Sequence, residues 1–482
     1  MDSVNFVGWI SRHFQPNSSF VNAANGQVFL GLKSYVCAAA NSFIEHGFAP
    51  GSRVVIACRQ DPETALAILG AIYAGLVVVP VDGNNHAAIK NLLMLTGAVA
   101  LWSGSINDSS LADTCAFLCG HPTPSGDIFH AIECDRNDLA ALMPTSGTTG
   151  NPRLVMVTHE NLIANTTAII HSQGLSMGDS AMLILPLSYC FGASVLYSHL
   201  AVGGSVVFDR RFMFPDKVLQ AMVDYDCATF AGVPSVFNIL LSRSSLGKIG
   251  LPALRRVLQA GGRLGPEQID EFLHRLPGVD FHVMYGQTEA TSRITSLAPE
   301  YITSHRGSVG KALDNLCLRV VDGHRRDLPP MEVGNIEIAG PSVCAGYWND
   351  AESSKLRFAD GWLLTGDRGW VDAEGFLWIE GRNDDFLKIR GRRISFTEIE
   401  SAVRDVKGVH EVAVLSVTDT EAGEVPVVFV VSENIDSDAV LIDKILRIMP
   451  VAWTCRQVVV LPNFPLTSNG KLDRKALRSA IG

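Results

Sequence analysis

No block of five or six basic residues occurs anywhere in the 482-residue chain, and acidic residues outnumber basic ones, 49 to 39. Nucleic-acid binding draws on clustered Lys and Arg, so that class of partner is argued against. Only a local basic spot, residues 388–393, offers a place for one small anion. Paired cysteines are missing as well. The ten cysteines are scattered, only Cys115 and Cys119 lie close, and no CxxC pair or His-rich neighbour accompanies them. This argues against a zinc site or a disulfide framework and predicts free, buried thiols in a reducing cytoplasm. Residues 1–14 have no basic segment followed by an apolar run, so they do not read as a secretory signal. A long uncharged run of simple apolar character, as a membrane span needs, is not found either. One uncharged run, residues 64–81, is interrupted by Gly70 and Gly75, carries Pro80 near its end and is flanked by Glu63 and Asp82. Its β-branched second half predicts a strand over 76–79 after a helix over 62–74, a buried pair rather than a membrane span.

What is present is ample apolar material, 47% of residues, in a chain longer than one core usually serves. Two or more domains are expected. Helical and strand patterns alternate: strand Arg53–Cys58, helix over 63–74, helix over 86–95, strands over 181–185 and 206–208, and a helix over 216–225. Alternation of this kind predicts α/β layers with largely parallel sheets. Short strands near 335–339 and 376–379 mark a small β subdomain. Beyond residue 382 the pattern becomes α+β, with a helix from about Thr397, strands over 411–417 and 425–431 and a helix over 437–449. The fold class is therefore α/β. We expect a large N-terminal domain of layered α/β subdomains plus a small β subdomain, residues 1–383, and a small, mobile α+β C-terminal domain, residues 384–482. No repeat or low-complexity segment is visible.

Four segments carry chemistry. In Thr145-Ser-Gly-Thr-Thr-Gly-Asn-Pro-Arg153, glycines and hydroxyl residues alternate in a loop able to offer N–H groups and hydroxyls to phosphate oxygens. It is not the common GxxxxGK[ST] loop, and a plain turn is its simplest reading. In Met284-Tyr-Gly-Gln-Thr-Glu-Ala290 an aromatic beside glycine can cover a base, and a Thr–Glu pair can hold a phosphate oxygen and Mg2+. A strand ending in a turn is the alternative. The third segment, Leu364-Thr-Gly-Asp367, precedes residues 381–394, and a carboxylate such as Asp367 suits a ribose diol. In the fourth, Pro465-Leu-Thr-Ser-Asn-Gly-Lys471, a lysine follows a glycine turn.

In this order and at these separations the four resemble the superfamily of adenylate-forming enzymes: acyl- and aryl-CoA ligases, adenylation domains and luciferases. The resemblance covers about residues 53–477. It implies ATP and Mg2+ as cofactors and a phosphate loop formed by Thr145, Ser146, Gly147, Thr148, Thr149 and Gly150. Tyr285 would stack on adenine, Thr288 would contact the α-phosphate, and Glu289 would hold Mg2+. Asp367, helped by Arg382, would bind the ribose. Lys471 would bridge carboxylate and α-phosphate, Asp384 would be the hinge of the small domain, and Lys388 would belong to the face used in the thiol step. The chemical need is plain: a carboxylate attacks a polyanion, so cations must offset the repulsion.

The sequence departs from the family pattern in places. Arg153 stands where the family usually has Lys, retaining the cation. In Pro186-Leu-Ser-Tyr-Cys-Phe-Gly192, Tyr189 stands where many aryl-acid ligases carry His, and Gly192 where amino-acid-activating members carry Asp. An α-ammonium would lack its counter-charge there, so an ordinary amino acid is disfavoured. The acid pocket implied is Tyr189, Phe191, Gly192, Gly232, Val233, Ala260, Gly261, Gly262 and Met284, and an uncharged acyl or hydroxyacyl chain is its expected guest. The acceptor is a pantetheine thiol, of CoA or of a carrier protein. Arg390-Gly391 leans toward a carrier, and no carrier segment follows Lys471, so a separate polypeptide is expected. Formation of an amide from the same acyl-AMP, activation of an unusual amino acid, and a non-catalytic nucleotide-binding module remain as alternatives. The presence of Lys471 and Glu289 counts against the last.

Overall fold

The computed structural model describes residues 4–104, 115–120, 123–124, 129–145, 152–382, 386–389, 392–419, 423–432, 438–449, 455, 457–467 and 470–481. Ser146, Gly147, Thr148, Thr149, Gly150 and Asp384, and with them the expected boundary at 383/384, lie outside the described residues, as does the side chain of Lys388. The chain divides into two compact units, residues 1–318 with 337–364, and residues 319–336 with 365–482.

The first unit holds two sheets. One has six strands in the order Ala116–Leu118, Ala100–Ser103, Arg53–Cys58, Val77–Asp82, Leu139–Thr145 and Arg153–Thr158, parallel except for the last pair. The uncharged run resolves as the helix Pro62–Tyr73 followed by the strand Val77–Asp82. Asp61 caps that helix by accepting from the Thr64 N–H, and Pro62 at its first position needs no donor. Every residue of the helix is buried. Gly70 lies so close to the neighbouring helix Leu32–Glu45 that a Cβ there would come within 2.5 Å of the Ala39 Cβ. No helix among the described residues is long and apolar enough to cross a membrane.

The second sheet has nine strands, with Asp280–Tyr285, Arg256–Gln259, Thr229–Gly232, Ser180–Leu183, Ser205–Phe208 and Ser19–Asn22 parallel at its centre. Thr295–Leu297 and Lys311–Ala312 extend one edge antiparallel, and Gln27–Leu30 the other. Helices such as Cys190–Ala201 and Pro234–Arg243 follow these strands. This is the layered α/β arrangement expected of the alternating pattern.

In the second unit a sheet runs Arg392–Ser395, Phe386–Ile389, Gly423–Ser432, Val409–Asp419, with Gln457–Leu461 parallel to Gly423–Ser432. The two-residue period of the long strands sorts their side chains. Val412, Val414, Val428 and Val430 pack with Ile399 and Ile445 from the helices Phe396–Arg404 and Asp438–Ile448. Ala413, Leu415, Val427 and Phe429 pack on the other face with Leu477 of the helix Arg474–Ser479.

All ten cysteines are free, but the expectation of burial holds for six: Cys115 and Cys455 are half-buried and two others lie open. Cys119, just past the short strand Ala116–Leu118, and Cys317, the first residue of the strand Cys317–Val321, are exposed, because each sits at a strand end rather than in a packed face.

Candidate active site

Parallel strands with helices between them leave their carboxyl ends as a crevice that the following loops line. The candidate acid residues gather there. Gly232 ends Thr229–Gly232 and Val233 opens the helix Pro234–Arg243. Ala260, Gly261 and Gly262 follow Arg256–Gln259, with the Ala260 N–H donating to the Gly232 carbonyl at 3.3 Å and Gln259 Nε2 to the Gly262 carbonyl at 2.8 Å. Met284 lies on the next strand, Asp280–Tyr285, and Tyr189 and Phe191 come from the segment after Ser180–Leu183. Their rings meet edge to face at 6.4 Å. Burial pushes the Tyr189 hydroxyl well above its usual range, so it stays a neutral donor.

Gly192 is glycine for a steric reason. A Cβ there would lie 2.3 Å from the Pro186 carbonyl oxygen and 2.9 Å from that of Leu185. The backbone of 185–186 therefore occupies the space an aspartate would need.

The Tyr285-Gly-Gln-Thr-Glu segment follows its strand at once. Tyr285 pairs with Thr295 and takes the Ile294 N–H on its carbonyl at 2.8 Å. Gly286 then passes so close to Ser292 that a Cβ would sit 1.8 Å from the Ser292 carbonyl oxygen. Thr288–Ala290 forms one 3-10 turn, and Thr291 after it has φ 66°, a left-handed conformation rare for a β-branched residue. Its hydroxyl donates to the Ser342 carbonyl at 2.7 Å and its N–H to the Thr288 carbonyl at 2.9 Å, bonds that hold the strained residue in place.

This turn brings the nucleotide candidates to the acid candidates. Thr288 Oγ1 donates to Cys190 Sγ at 3.6 Å, at the start of the helix bearing Phe191 and Gly192. The Glu289 carbonyl accepts the Cys344 N–H at 3.0 Å, and its carboxylate Oε1 accepts the Tyr347 hydroxyl at 2.8 Å. Burial, then the Glu289 charge, pushes the Tyr347 hydroxyl up to about 12, so it remains a donor at neutral pH. The Tyr347 ring carries the Arg153 guanidinium 5.5 Å above its centroid, and Arg153 also reaches Asp350 at 3.9 Å. Thr145 pairs with Arg153 across the strands on either side of the glycine-rich segment, its Oγ1 donating to the Arg153 carbonyl at 3.3 Å. One half-buried carboxylate, oriented by a tyrosine through a single oxygen, fits a hard cation such as Mg2+, which takes one or two carboxylates and completes its shell with phosphates and water.

In the second unit Asp367 and Arg382 face each other across the antiparallel pair of Trp362–Val371 with Leu377–Arg382. Arg382 Nε lies 3.3 Å from Asp367 Oδ1, with Arg382 exposed and Asp367 buried. The Asp367 N–H donates to Thr365 Oγ1 at 3.2 Å, and that hydroxyl donates to the Ile336 carbonyl. Lys388 pairs with Arg393 in the hairpin Phe386–Ile389 with Arg392–Ser395. Lys471 is exposed on a closed turn: its N–H donates to Thr467 Oγ1 at 3.2 Å, its carbonyl accepts the Thr467 N–H at 2.7 Å, and Gly470 supplies φ 72°. A glycine is needed there for its left-handed backbone.

Two residues of the first unit went unread in the sequence. Tyr347 carries no local signal, since its partner is Glu289, far away in the chain. Arg293 did carry one, as the only charged residue between Glu289 and Glu300. It is buried, its guanidinium lies 4.7 Å over the Phe191 ring, and its Nε donates to Met284 Sδ at 3.1 Å. A buried cation that the sequence reading did not place therefore touches two of the candidate acid residues. Burial pulls this guanidinium down to about 10, which leaves it a cation at neutral pH.

The sequence matches the AMP-binding enzyme family over residues 21–348 and the AMP-binding enzyme C-terminal domain over residues 398–471. It is 31% identical over 397 residues to a 2-succinylbenzoate–CoA ligase of Listeria monocytogenes, covering 82% of this chain and 79% of that one. It is 26% identical to 4-coumarate–CoA ligase 2 of Nicotiana tabacum, over 97% and 92% of the two chains. Among solved structures, ATP-bound MatB from Rhodopseudomonas palustris superposes with a TM-score of 0.86 at 25% identity over 98% of both chains. The o-succinylbenzoate CoA synthetase of Bacillus subtilis, solved with its acyl-adenylate, shares the fold at a TM-score of 0.87 and 24% identity over 99% of both. The chain belongs to the AMP-binding enzyme family, the adenylate-forming enzymes whose members include acyl- and aryl-CoA ligases.

Proposed function

We propose that this protein is an AMP-forming acid–thiol ligase of the acyl-CoA synthetase type. It activates a carboxylic acid with ATP as the acyl-AMP, releases pyrophosphate, and passes the acyl group to a pantetheine thiol of CoA or of a separate carrier protein. The observation that carries this reading is the junction of Thr288 with Cys190, which sets the Tyr285–Glu289 turn against the start of the acid-pocket helix. A residue that contacts the α-phosphate must stand beside the attacking carboxylate, and the contact of Thr288 with Cys190 supports that position for it. The CoA-ligase relatives support the thiol step.

In this reading Tyr285 covers the adenine, and Asp367 accepts from the ribose hydroxyls with Arg382 beside it. The segment Thr145 to Gly150 cradles the outer phosphates. Mg2+, when bound, offsets phosphate charge and withdraws electrons from the leaving pyrophosphate. Glu289, fixed by Tyr347, is its protein ligand. Lys471 on its closed turn neutralises the meeting of carboxylate and α-phosphate, then leaves when residues 384–482 rotate about Asp384 and bring up the face of Lys388. The thiol then attacks the acyl carbon and AMP departs. The ten free thiols fit a reducing, cytoplasmic setting.

The test is ATP–pyrophosphate exchange over a panel of linear, branched, aromatic, dicarboxylic and amino acids, followed by thioester formation with CoA and with a phosphopantetheinylated carrier. Exchange with at least one acid, and thioester on either thiol, is the expected result. ATP binding without exchange for any acid would make the protein a nucleotide-binding module instead.

A further inference from the structure

A single 3-10 turn has poorer hydrogen bonds than an α-helix, and Thr288–Ala290 runs directly into the strained Thr291. The side chains on either flank of Thr288 are tied to another part of the first unit. On one flank Gln287 Oε1 accepts from Arg357 Nη2 at 3.3 Å, and on the other Glu289 accepts from the Tyr347 hydroxyl at 2.8 Å. Arg357 ends the helix Ala351–Arg357 and is half-buried. It serves Tyr347 as well: burial and the Glu289 charge push the Tyr347 hydroxyl up, and the Arg357 guanidinium, hydrogen-bonded to it, pulls the other way. The same helix holds Tyr347 by its backbone. The Tyr347 N–H donates to Ser354 Oγ at 2.8 Å, and Ser354 and Arg357, three residues apart, share one helix face. Asp350 caps this helix by accepting the Ser353 N–H at 3.0 Å. The segment before it lies along the strand Arg153–Thr158, where the Met156 N–H donates to the Gly346 carbonyl at 2.9 Å and the Trp348 N–H to the Leu154 carbonyl at 2.8 Å.

We infer that Arg357 is a positioning residue for adenylation: through Gln287 and Tyr347 it fixes both flanks of Thr288, and so places Thr288 and Glu289 for the α-phosphate and Mg2+. The inference rests on the adenylation reading, in which those two residues act, and adds to it a residue that reading does not contain. Arginine suits the post because its planar fork carries several donors, enough for an amide oxygen and a phenol oxygen together, where lysine offers a single ammonium. Its charge matters too. The Tyr347 hydroxyl donates to Glu289 and accepts from Arg357, and a cationic donor behind a hydroxyl makes that hydroxyl a stronger donor in turn. The chain Gln287, Arg357, Tyr347, Glu289 thus closes around Thr288 from outside. Arg357 acts only through these partners.

The experiment compares the two half-reactions in the full chain: ATP–pyrophosphate exchange with the best acid of the panel, and thioester formation from supplied acyl-AMP, which involves no polyphosphate. Thermal melting and calorimetric binding of ATP with Mg2+ accompany them. Arg357→Met keeps the length of the side chain and removes its donors and charge. It should lower exchange by about tenfold or more and weaken binding of ATP with Mg2+ several-fold, because hydrogen bonds to charged groups are lost. Thioester formation should stay within about threefold of wild type, a split that a merely structural role would not produce. Arg357→Lys, able to serve one partner at a time, should fall between. In the Tyr347→Phe background Arg357→Met should cost only about threefold, since one of its two routes is already cut. Gln287→Met cuts the other route, leaves the helix whole and should lower exchange by about threefold; it decides the matter should Arg357→Met fail to fold, and unchanged exchange would then overturn the inference. Exchange by a folded Arg357→Met within about threefold of wild type, equal losses in both half-reactions, or an undiminished cost in the Tyr347→Phe background would also overturn it and leave adenylation standing. Exchange with no acid in the wild-type chain would sink adenylation, and the inference with it.

Discussion

Replacing Tyr347 by Phe removes one oxygen and leaves the ring. The ring's contacts, the Arg153 guanidinium at 5.5 Å and Phe358 edge-on at 5.5 Å, are kept, so the fold should lose little. What disappears is the 2.8 Å donor to Glu289 Oε1, a hydrogen bond to a charged acceptor on a tyrosine that is 2% exposed. Such bonds contribute about 1.5–3 kcal/mol. If that energy is used to hold Glu289 where a cation and phosphate meet, exchange should fall about 10- to 100-fold, at one decade per 1.4 kcal/mol. More Mg2+ should also be needed to reach the half-maximal rate. The assay is ATP–pyrophosphate exchange titrated with Mg2+, run in parallel with thermal melting. A double-mutant cycle with Glu289→Gln separates the routes: Tyr347→Phe should cost almost nothing in that background. A cost of less than about threefold for Tyr347→Phe would refute this role for the hydroxyl. So would a cost as large in the Glu289→Gln background as in the wild-type chain.

Lys471→Ala should nearly abolish exchange while sparing thioester formation from supplied acyl-AMP, and equal loss of both half-reactions would unseat Lys471 from the first step. Lys388→Ala and Asp384→Pro should do the reverse, proline by fixing φ at the hinge; collapse of exchange in either would move the hinge elsewhere. Acid should destabilise the fold through buried imidazoles. Burial pushes His159, His199 and His282 down to about 4 each. Their folded pKa values lie below the unfolded value near 6.5, so the unfolded chain binds more protons in between. Stability is then full above pH 6.5 and is lost as pH falls toward 4, by about 2 kcal/mol per histidine at pH 5. Urea midpoints at pH 7 and pH 5 check this, and equal midpoints would contradict it.

The fold was largely legible because its signals are local. The strand Arg53–Cys58 is a run of buried β-branched and small residues, and the helix Pro62–Tyr73 announces itself by Asp61 and Pro62. Burial of that helix on all sides removed the amphipathic period that a sequence reader relies on, and so its uncharged run resembled a membrane span. The nine-strand order could not be read, because Ser205–Phe208 lies between Ser180–Leu183 and the distant Ser19–Asn22, a pairing that no neighbouring residues encode. Among the site residues, the legible ones were those whose chemistry and backbone needs fall within one short segment, such as Gly286 beside Thr288 and Glu289, or Gly470 beside Lys471.

The candidate acid residues obey a different rule, and Gly192 shows why. Read along the chain, Gly192 is an omitted aspartate, and the pocket looks uncharged. In space it is a point where the Pro186 carbonyl leaves no room for any Cβ, so no carboxylate could be supplied from that position without moving the backbone. A buried charge stands elsewhere among the candidate residues, on Arg293. Thr291, turned by its left-handed φ, leads the chain to Arg293, and Asn165 fixes the Arg293 backbone by donating to its carbonyl at 2.9 Å. Ser194, one helical step from Phe191, then sets the guanidinium. The placing of this cation thus depends on Asn165, Ser194 and Met284, which come from the helix His159–Gln173, the helix Cys190–Ala201 and the strand Asp280–Tyr285. No motif holds them together, and only their packing brings this cation against Phe191 and Met284.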